Sequence, residues 1–389
     1  MTAYQWGEVT SCCFAPDVPL GNLRASTLAQ IWNDAPMRKL RLNMLKDEPS
    51  AQCWRCYERE SIGGYSRRVD FNQDFAHHLP FVTTTLPDGS VPRMNMVYLD
   101  FRFSNVCNFS CRTCDPSTSS AWYDDGIKLS GQANPATRIV RAIDDPHETW
   151  RQLEPLLDDV EVVYFAGGEP LITDEHYRVL THLIETKRTH VHLRYSTNFS
   201  TLTYKSFDVM ALWRKFENVQ VQASIDGTEE RGEYIRKGQI WEQVLVNRER
   251  LEHLCPHVGF DLSATVLILN ALHMPDLHRE CVALGLIRPH QLGLNILFDP
   301  HHLRLQVLPS ELKEEMRARY RNHIDNYIKP LGEHADGMQE KFEAVLHFLN
   351  EQDMSNKLPE FQDMTRRLDA IRGESLATAI PELATLLVS

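Results

Sequence analysis

What the 389-residue sequence lacks narrows its function first. No apolar run approaches the roughly 20 residues that cross a bilayer. The N-terminal stretch from Met1 to Gly7 has neither the basic nor the apolar segment of a signal peptide. The chain is therefore expected to be cytoplasmic, with no membrane partner. Positive charge is also scarce, since 41 Lys and Arg against 53 Asp and Glu give a net charge of −12. Phosphate binding needs clustered Lys and Arg, so a nucleic-acid partner is not expected. Cysteine is nearly missing beyond residue 115, where only Cys255 and Cys281 remain. Both sit alone in apolar or helical surroundings and read as buried structural thiols. An odd total of nine cysteines in a long unexported chain argues against a disulfide framework.

The other seven cysteines fall in short-spaced groups, which reads as metal chemistry. Cys107, Cys111 and Cys114 follow the apolar run 94–103 in a C-x3-C-x2-C spacing. Three cysteines directly after a predicted strand suit a loop wrapping one face of an iron–sulfur cube. Three thiolates on a [4Fe–4S] cluster leave one iron without a protein ligand, able to bind a small molecule. A zinc site, which normally takes a fourth ligand nearby, and a set of buried thiols are the alternatives. Earlier in the chain, adjacent Cys12 and Cys13 with a distant Cys53-x2-Cys56 form another metal-ligand arrangement. Alone it is compatible with zinc, iron–sulfur or redox chemistry.

Residues 1–70 read as a small unit, with Gly7 in a hairpin turn and apolar residues at helical intervals from Ser26 to Lys46. Ser26 is the expected N-cap, and Pro36 divides this run into two short helices. Residues 71–93, aperiodic and containing His77 and His78, read as a linker. The two histidines are read as solvent-facing loop residues, with metal ligation the alternative. From 94 to 300, predicted strands at 94–103, 160–166, 191–195, 219–225, 259–267 and 292–297 alternate with helical patterns. Those helices fall near 147–157, 174–186, 203–215, 239–254 and 272–285. Such alternation implies an α/β fold of parallel strands with helices outside and functional residues at the C-terminal strand ends. Residues 301–389 form a helical extension, with helices to about 327, over 337–350 and over 361–371. There Asp369 and Arg372, at i and i+3, are spaced to pair on one surface face.

The strand ends carry a set of motifs in order. Gly167, Gly168, Glu169 and Pro170 follow the second strand, Ser196 and Asn198 the third, and Ser224 and Asp226 the fourth. With the cysteine loop ahead of them, these closely resemble the radical S-adenosylmethionine (radical SAM) superfamily over about residues 94–300. The resemblance implies a partial (β/α)6 barrel in which Cys107, Cys111 and Cys114 hold a [4Fe–4S] cluster that chelates S-adenosylmethionine. It also implies that Gly167 to Pro170 offer backbone polar groups to the methionine ammonium. Ser196, Asn198, Ser224 and Asp226 match positions that reach the ribose or carboxylate. Arg236 looks like the arginine that pairs with that carboxylate, the alternative being a solvated helix residue. Thr113 departs from the family, where the residue before the third cysteine is commonly aromatic. Phe109 or Trp122 is then the expected source of an adenine contact.

Gly7-x4-Cys12, the Leu28, Ile31 and Trp32 helix and Cys53-x2-Cys56 resemble the SPASM/twitch module, which carries an auxiliary [4Fe–4S] cluster. Cys12 is the favoured ligand with Cys53 and Cys56, and Cys13 is either a further ligand or a buried neighbour. The module's usual first cysteine would precede Met1, so the natural start lies upstream, Cys13 substitutes, or the cluster keeps an open iron. The resemblance implies a 5′-deoxyadenosyl radical that abstracts hydrogen from a peptide or protein side chain, oxidising or cross-linking it. A dehydrogenase of a sugar, aminocyclitol or nucleoside-like molecule is the second reading, and a non-catalytic iron–sulfur or zinc protein the third. A low-potential donor such as flavodoxin or ferredoxin is the implied electron partner.

Overall fold

The computed structural model describes residues 1–15, 18–61, 66–132 and 137–387. The chain divides into two compact units, Met1–Ser104 with Val140–Gly167, and Asn105–Ile139 with Gly168–Ser389.

In the first unit five strands run in the order Val162–Phe165, Tyr98–Phe101, Thr2–Ala3, Glu8–Thr10 and Gly21–Asn22. The first three are parallel, Leu99 facing Val163 and Ala3 facing Phe101, and the last two add antiparallel. Gly7 turns the hairpin at φ +95°, as its position predicts. The helix Leu28–Asn33 starts one residue later than expected. Thr27, not Ser26, is its N-cap, because Thr27 and Gln30 satisfy each other's backbone N–H groups in a capping box. Pro36 opens the second helix, Ala35–Leu45, as expected.

The expected linker is a correction. Helix Arg67–Asp74 runs into it and a 3-10 helix covers Ala76–Thr84. Phe71 and Phe75 lie against Tyr98, ring centroids 5.1 and 6.2 Å away. Aromatic packing of this kind orders a segment without leaving a helical period in its sequence.

The second unit is built on four parallel strands, His192–Thr197, Val219–Ala223, Gly259–Val266 and Leu292–Ile296, adjacent in the order 292, 259, 219, 192. Alternate residues point into the core, as Leu193, Tyr195, Val221, Leu262 and Leu292 do. The helices Asp174–Glu185, Trp241–Leu254 and Met274–Ala283 follow the predicted ones within a few residues. The helix expected over 203–215 is instead a small hairpin, Thr203–Tyr204 against Phe207–Asp208, followed by a short helix Val209–Trp213. Lys205 at φ +52° makes the turn, and Asp208 caps the helix by accepting from the Met210 N–H at 2.9 Å. In the extension, Ser310–His323, Met338–Glu351 and Leu358–Arg372 are helical, close to expectation. Cys255 and Cys281 are buried, as read, and all nine cysteines are free.

Three histidines are buried in this unit. His176 Nε2 shares a proton with the Tyr195 hydroxyl at 3.0 Å, and His278 Nδ1 lies 2.9 Å from His323 Nε2. Burial pushes their pKa values down from 6.5, His176 to about 3, His278 to about 4 and His323 to about 3. Because the folded values lie below the unfolded one, the stability involved is present above pH 6.5. It is lost as pH falls toward the folded values. For His176 the slope is about 1.4 kcal/mol per pH unit. Denaturant unfolding between pH 7 and 4.5 is expected to show this fall, partly flattened in His176→Gln. An equal slope in the variant would assign the fall to other groups.

Candidate metal centre

The cysteine loop leaves the chain at Val106 and is held at both flanks. Ser120 brackets Cys107, its hydroxyl accepting from the Cys107 N–H at 3.1 Å and donating to the Cys107 carbonyl at 3.2 Å. The Cys107 sulfur accepts from the Phe109 N–H at 3.4 Å. The Cys111 carbonyl takes two donors, the Cys114 N–H at 3.0 Å and the Trp122 indole at 2.6 Å. Ser110–Cys111 also pairs antiparallel with Arg236–Lys237, setting Cys111 opposite Arg236. Gly238, at φ +110°, lets that strand pass close by. A Cβ there would lie 2.7 Å from the Phe109 ring. Phe109 and Trp122 are both core residues, and Trp122 commits its N–H to the loop. These are the two aromatic residues from which the adenine contact is expected.

The strand-end residues converge on the same loop. Gly167 and Gly168 turn the chain at φ +80° and +47°, and Pro170 opens a short 3-10 turn. The Glu169 N–H donates to the Val106 carbonyl at 2.8 Å. Its carboxylate accepts from Leu171 N–H at 3.0 Å, Thr197 hydroxyl at 2.7 Å and Asn198 N–H at 2.7 Å. Glu169 thus ties the glycine turn to the end of the His192–Thr197 strand. Asn198 donates from its amide to Asn108 Oδ1 at 2.8 Å, inside the cysteine loop. Ser196 and Ser224 sit half-buried at neighbouring strand ends, the Ser224 N–H donating to the Thr197 carbonyl at 2.8 Å.

Asp226 is fully buried. One oxygen accepts from the Thr265 N–H at 2.6 Å and the other meets Arg236 Nε at 2.7 Å. Arg236 in turn points Nη1 at the Cys111 sulfur, 3.7 Å away. It lies on a strand with 12% of its side chain exposed, so the solvated-helix alternative fails. Its guanidinium bridges a carboxylate and a cysteine of the loop.

The donor set fits an iron–sulfur cluster. Burial pushes Cys107 up to about 12, with the charges of Cys111 and Glu169 adding to the effect. The hydrogen bond between Cys111 and Cys114 raises the first and lowers the second. Three neighbouring thiols, one buried and two partly so, therefore resist ionising together unless a cation offsets their charge. A bound iron centre does so, because a coordinating thiol is deprotonated outright. Burial likewise pushes Glu169 up to about 7, against its three hydrogen-bond donors and the Arg236 charge.

Four further residues emerge that the sequence gives no sign of. Arg112, between two of the cysteines, is buried, with 4% of its side chain exposed. Its Nη2 meets Asp369 at 2.5 Å and Glu374 at 2.6 Å, and its Nε donates to the Tyr234 carbonyl at 3.1 Å. The guanidinium lies 3.6 Å from the centre of the Tyr234 ring, whose hydroxyl donates to Asp369 at 2.9 Å. Arg372 stacks over Trp122 at 4.6 Å and donates to Asp125 at 2.8 Å. The expected pairing of Asp369 with Arg372 is thus a correction. Each turns inward to a separate partner near the cysteine loop, where burial strengthens a charge pair more than a surface site would.

In the first unit, Cys12 and Cys56 lie near enough to Cys53 for their charges to add to the burial that raises its pKa. Cys13 has different company. Burial raises it first, then the Asp100 charge, with Arg102 opposing. Its carbonyl accepts from the Tyr4 hydroxyl at 3.2 Å. This places Cys12, Cys53 and Cys56 together, while Cys13 neighbours Asp100 and Arg102.

Residues 4–57 match the SPASM family, an iron–sulfur cluster-binding domain, and residues 101–262 match the radical SAM superfamily. Among solved structures, native anSMEcpe with bound AdoMet is similar at 16% identity. The match covers 57% of this chain and 59% of that one, with a TM-score of 0.36. Streptococcus suis SuiB bound to precursor peptide SuiA is 13% identical over 77% of this chain and 62% of that one, with a TM-score of 0.41. TYW1 with a lysine-pyruvate adduct is 14% identical over 57% of this chain and 70% of that one, with a TM-score of 0.30. The chain thus spans 59% of the anSMEcpe structure and 62% of SuiB. No curated protein matches the chain.

Proposed function

The chain is a radical SAM protein with a SPASM iron–sulfur domain ahead of its radical SAM domain, and we propose that it is an enzyme that oxidises, cross-links or otherwise modifies a side chain of a peptide or protein. The observation that carries the radical chemistry of this reading is the convergence of Glu169, Asn198, Asp226 and Arg236 on the loop of Cys107, Cys111 and Cys114. The domain boundaries we propose are 1–70 for the SPASM-like module, 94–300 for the radical SAM core and 301–389 for the helical extension, with 71–93 an ordered connection and not a loose linker.

In this proposal Cys107, Cys111 and Cys114 hold a [4Fe–4S] cluster, and Cys12, Cys53 and Cys56 hold the auxiliary one. When bound, the first cluster and S-adenosylmethionine supply a one-electron cleavage that yields methionine and a 5′-deoxyadenosyl radical for hydrogen abstraction. The chain's own residues orient these partners. Glu169 fixes the glycine turn, whose backbone groups would bind the methionine ammonium. Asn198 fixes the loop through Asn108. Arg236, held by Asp226, keeps a permanent positive charge against Cys111 and would pair with the methionine carboxylate. Ser196 and Ser224 would contact the ribose. Cys12, Cys53 and Cys56 would hold an auxiliary cluster, which would supply the one-electron acceptor that an oxidation or cross-link needs. A ferredoxin or flavodoxin is the proposed donor.

The test is anaerobic. Reconstituted protein with dithionite and S-adenosylmethionine is expected to form methionine and 5′-deoxyadenosine in equal amounts. A substrate peptide is then expected to raise the rate and to emerge dehydrogenated or cross-linked. Absence of 5′-deoxyadenosine from protein loaded with both clusters would remove the catalytic reading. Stimulation by sugars or nucleosides but not by peptides would move the substrate to the small-molecule class.

A further inference from the structure

A separate group of metal-ligating side chains lies in the first unit, within the segment that the sequence presents as a linker. His77 Nε2 is 2.9 and 3.1 Å from the two carboxylate oxygens of Glu161, and His78 Nε2 is 2.6 Å from one of them. The ligand atoms of all three residues lie within 4.8 Å of one another, the one such group of His, Cys, Asp or Glu among the described residues. We propose that His77, His78 and Glu161 form a binding site for a divalent zinc-like cation that clips the 76–84 helix to the start of the Val162–Phe165 strand.

The donor set specifies the class of ion. Two imidazole nitrogens and one carboxylate suit Zn²⁺, whose bonds of about 2.0–2.2 Å to these atoms place tetrahedral ligands roughly 3.3 Å apart. The two imidazole–carboxylate spacings, 2.9 Å for His77 and 2.6 Å for His78, reach that value by opening about 0.4 and 0.7 Å, and all three ligand atoms already lie within 4.8 Å of one another. Hard Mg²⁺ and Ca²⁺ take oxygen ligands and are disfavoured by two imidazoles. The histidine rings sit 4.3 Å apart, centroid to centroid. One dication serves both nitrogens and the carboxylate at once.

The surroundings are built to hold the ligands in place. Glu161 is fixed by its backbone, since its N–H and that of Val162 both donate to the Val97 carbonyl, at 2.8 and 3.0 Å. His77 and His78 open the 3-10 helix Ala76–Thr84 and are flanked by Phe75 and Phe81. These aromatic faces give the site an apolar wall, and three protein ligands leave room for water at the fourth position. The ligands are neutral imidazoles and one carboxylate without thiolate, so the site is chemically distinct from the cysteine groups. The role that follows is structural. The ion joins chain positions 77, 78 and 161, closing a long loop, which is where a cross-link constrains the unfolded chain most.

The test uses the full chain with both iron–sulfur clusters assembled, cleared of loose metal and titrated anaerobically with Zn²⁺, then with Co²⁺ as a spectroscopic probe. Wild type is expected to bind one equivalent of Zn²⁺ beyond the cluster iron. His78→Ala and Glu161→Gln are each expected to weaken that binding at least tenfold with iron and sulfide content unchanged. Glu161→Gln keeps a hydrogen-bond acceptor for both histidines, so it separates loss of metal from loss of fold. Bound Co²⁺ is expected to show nitrogen and oxygen coordination without a sulfur-to-cobalt charge-transfer band. Equal binding by wild type and both variants, or a strong charge-transfer band, would overturn the proposal and place the metal on cysteine.

Discussion

Replacing Cys107, Cys111 and Cys114 together with alanine is expected to lower iron from about eight to about four atoms per chain and to end 5′-deoxyadenosine formation. The loss of activity is the largest effect available in this chain, because the three thiols are the donors of the proposed cluster and no neighbour replaces them. The side chains whose charges act on these thiols are already engaged, Glu169 by three hydrogen-bond donors and Asp226 by Arg236 at 2.7 Å. The four remaining irons are expected to keep a [4Fe–4S] electron paramagnetic resonance signal after reduction, assignable to Cys12, Cys53 and Cys56. A companion variant with those three cysteines replaced is expected to keep S-adenosylmethionine cleavage and to lose substrate turnover. Zinc in place of iron in the residual site would remove the electron-acceptor role, while leaving the radical-generating loop as proposed.

The cysteine loop was legible because its three cysteines are local. Three residues within eight positions carry the whole spacing signal, and the strand before them has a clear apolar pattern. The strand-end residues were legible for a related reason. In a parallel α/β fold, consecutive strands bring their C-terminal ends to one side, so Glu169 meets Asn198, and Asp226 meets Thr265 and Arg236, although their positions are far apart. What the sequence hid depends on partners with no fixed register. Thr197 joins the Glu169 network through a hydroxyl that reads as ordinary strand. Arg112 finds Asp369 across 257 positions and Glu374 across 262. The 71–93 segment hid its helices because Phe71 and Phe75 are ordered by Tyr98 rather than by their own spacing.

Arg112→Met carries the second large expectation, and it separates a positioning role from a purely structural one. Removing the guanidinium leaves Asp369 and Glu374, each less than a fifth exposed, facing each other without their shared cation. Truncating one partner of a buried charge pair costs about 3–5 kcal/mol. In a chain of this size the unfolding midpoint is expected to fall by about 4–6 °C. Lys237, 2.9 Å from Glu374, offsets part of the loss at that carboxylate but does not reach the position held by Arg112. A second effect follows from where Arg112 sits, one residue after Cys111 and two before Cys114. Its Nε and ring contacts to Tyr234 hold the loop next to the strand that carries Arg236. Outer partners that orient metal ligands are worth about 10–100-fold in affinity or activity. The variant is therefore expected to form 5′-deoxyadenosine about 10–100-fold more slowly per iron-loaded chain, with altered g-values for the S-adenosylmethionine-bound cluster. Asp369→Asn, which removes the charge from the other side, is expected to move both readouts in the same direction, less than additively with Arg112→Met. A lowered midpoint with unchanged rate per cluster and unchanged spectrum would reduce the network to a structural tie between the C-terminal extension and the core. A change in all three makes the extension part of the apparatus that aims the cluster.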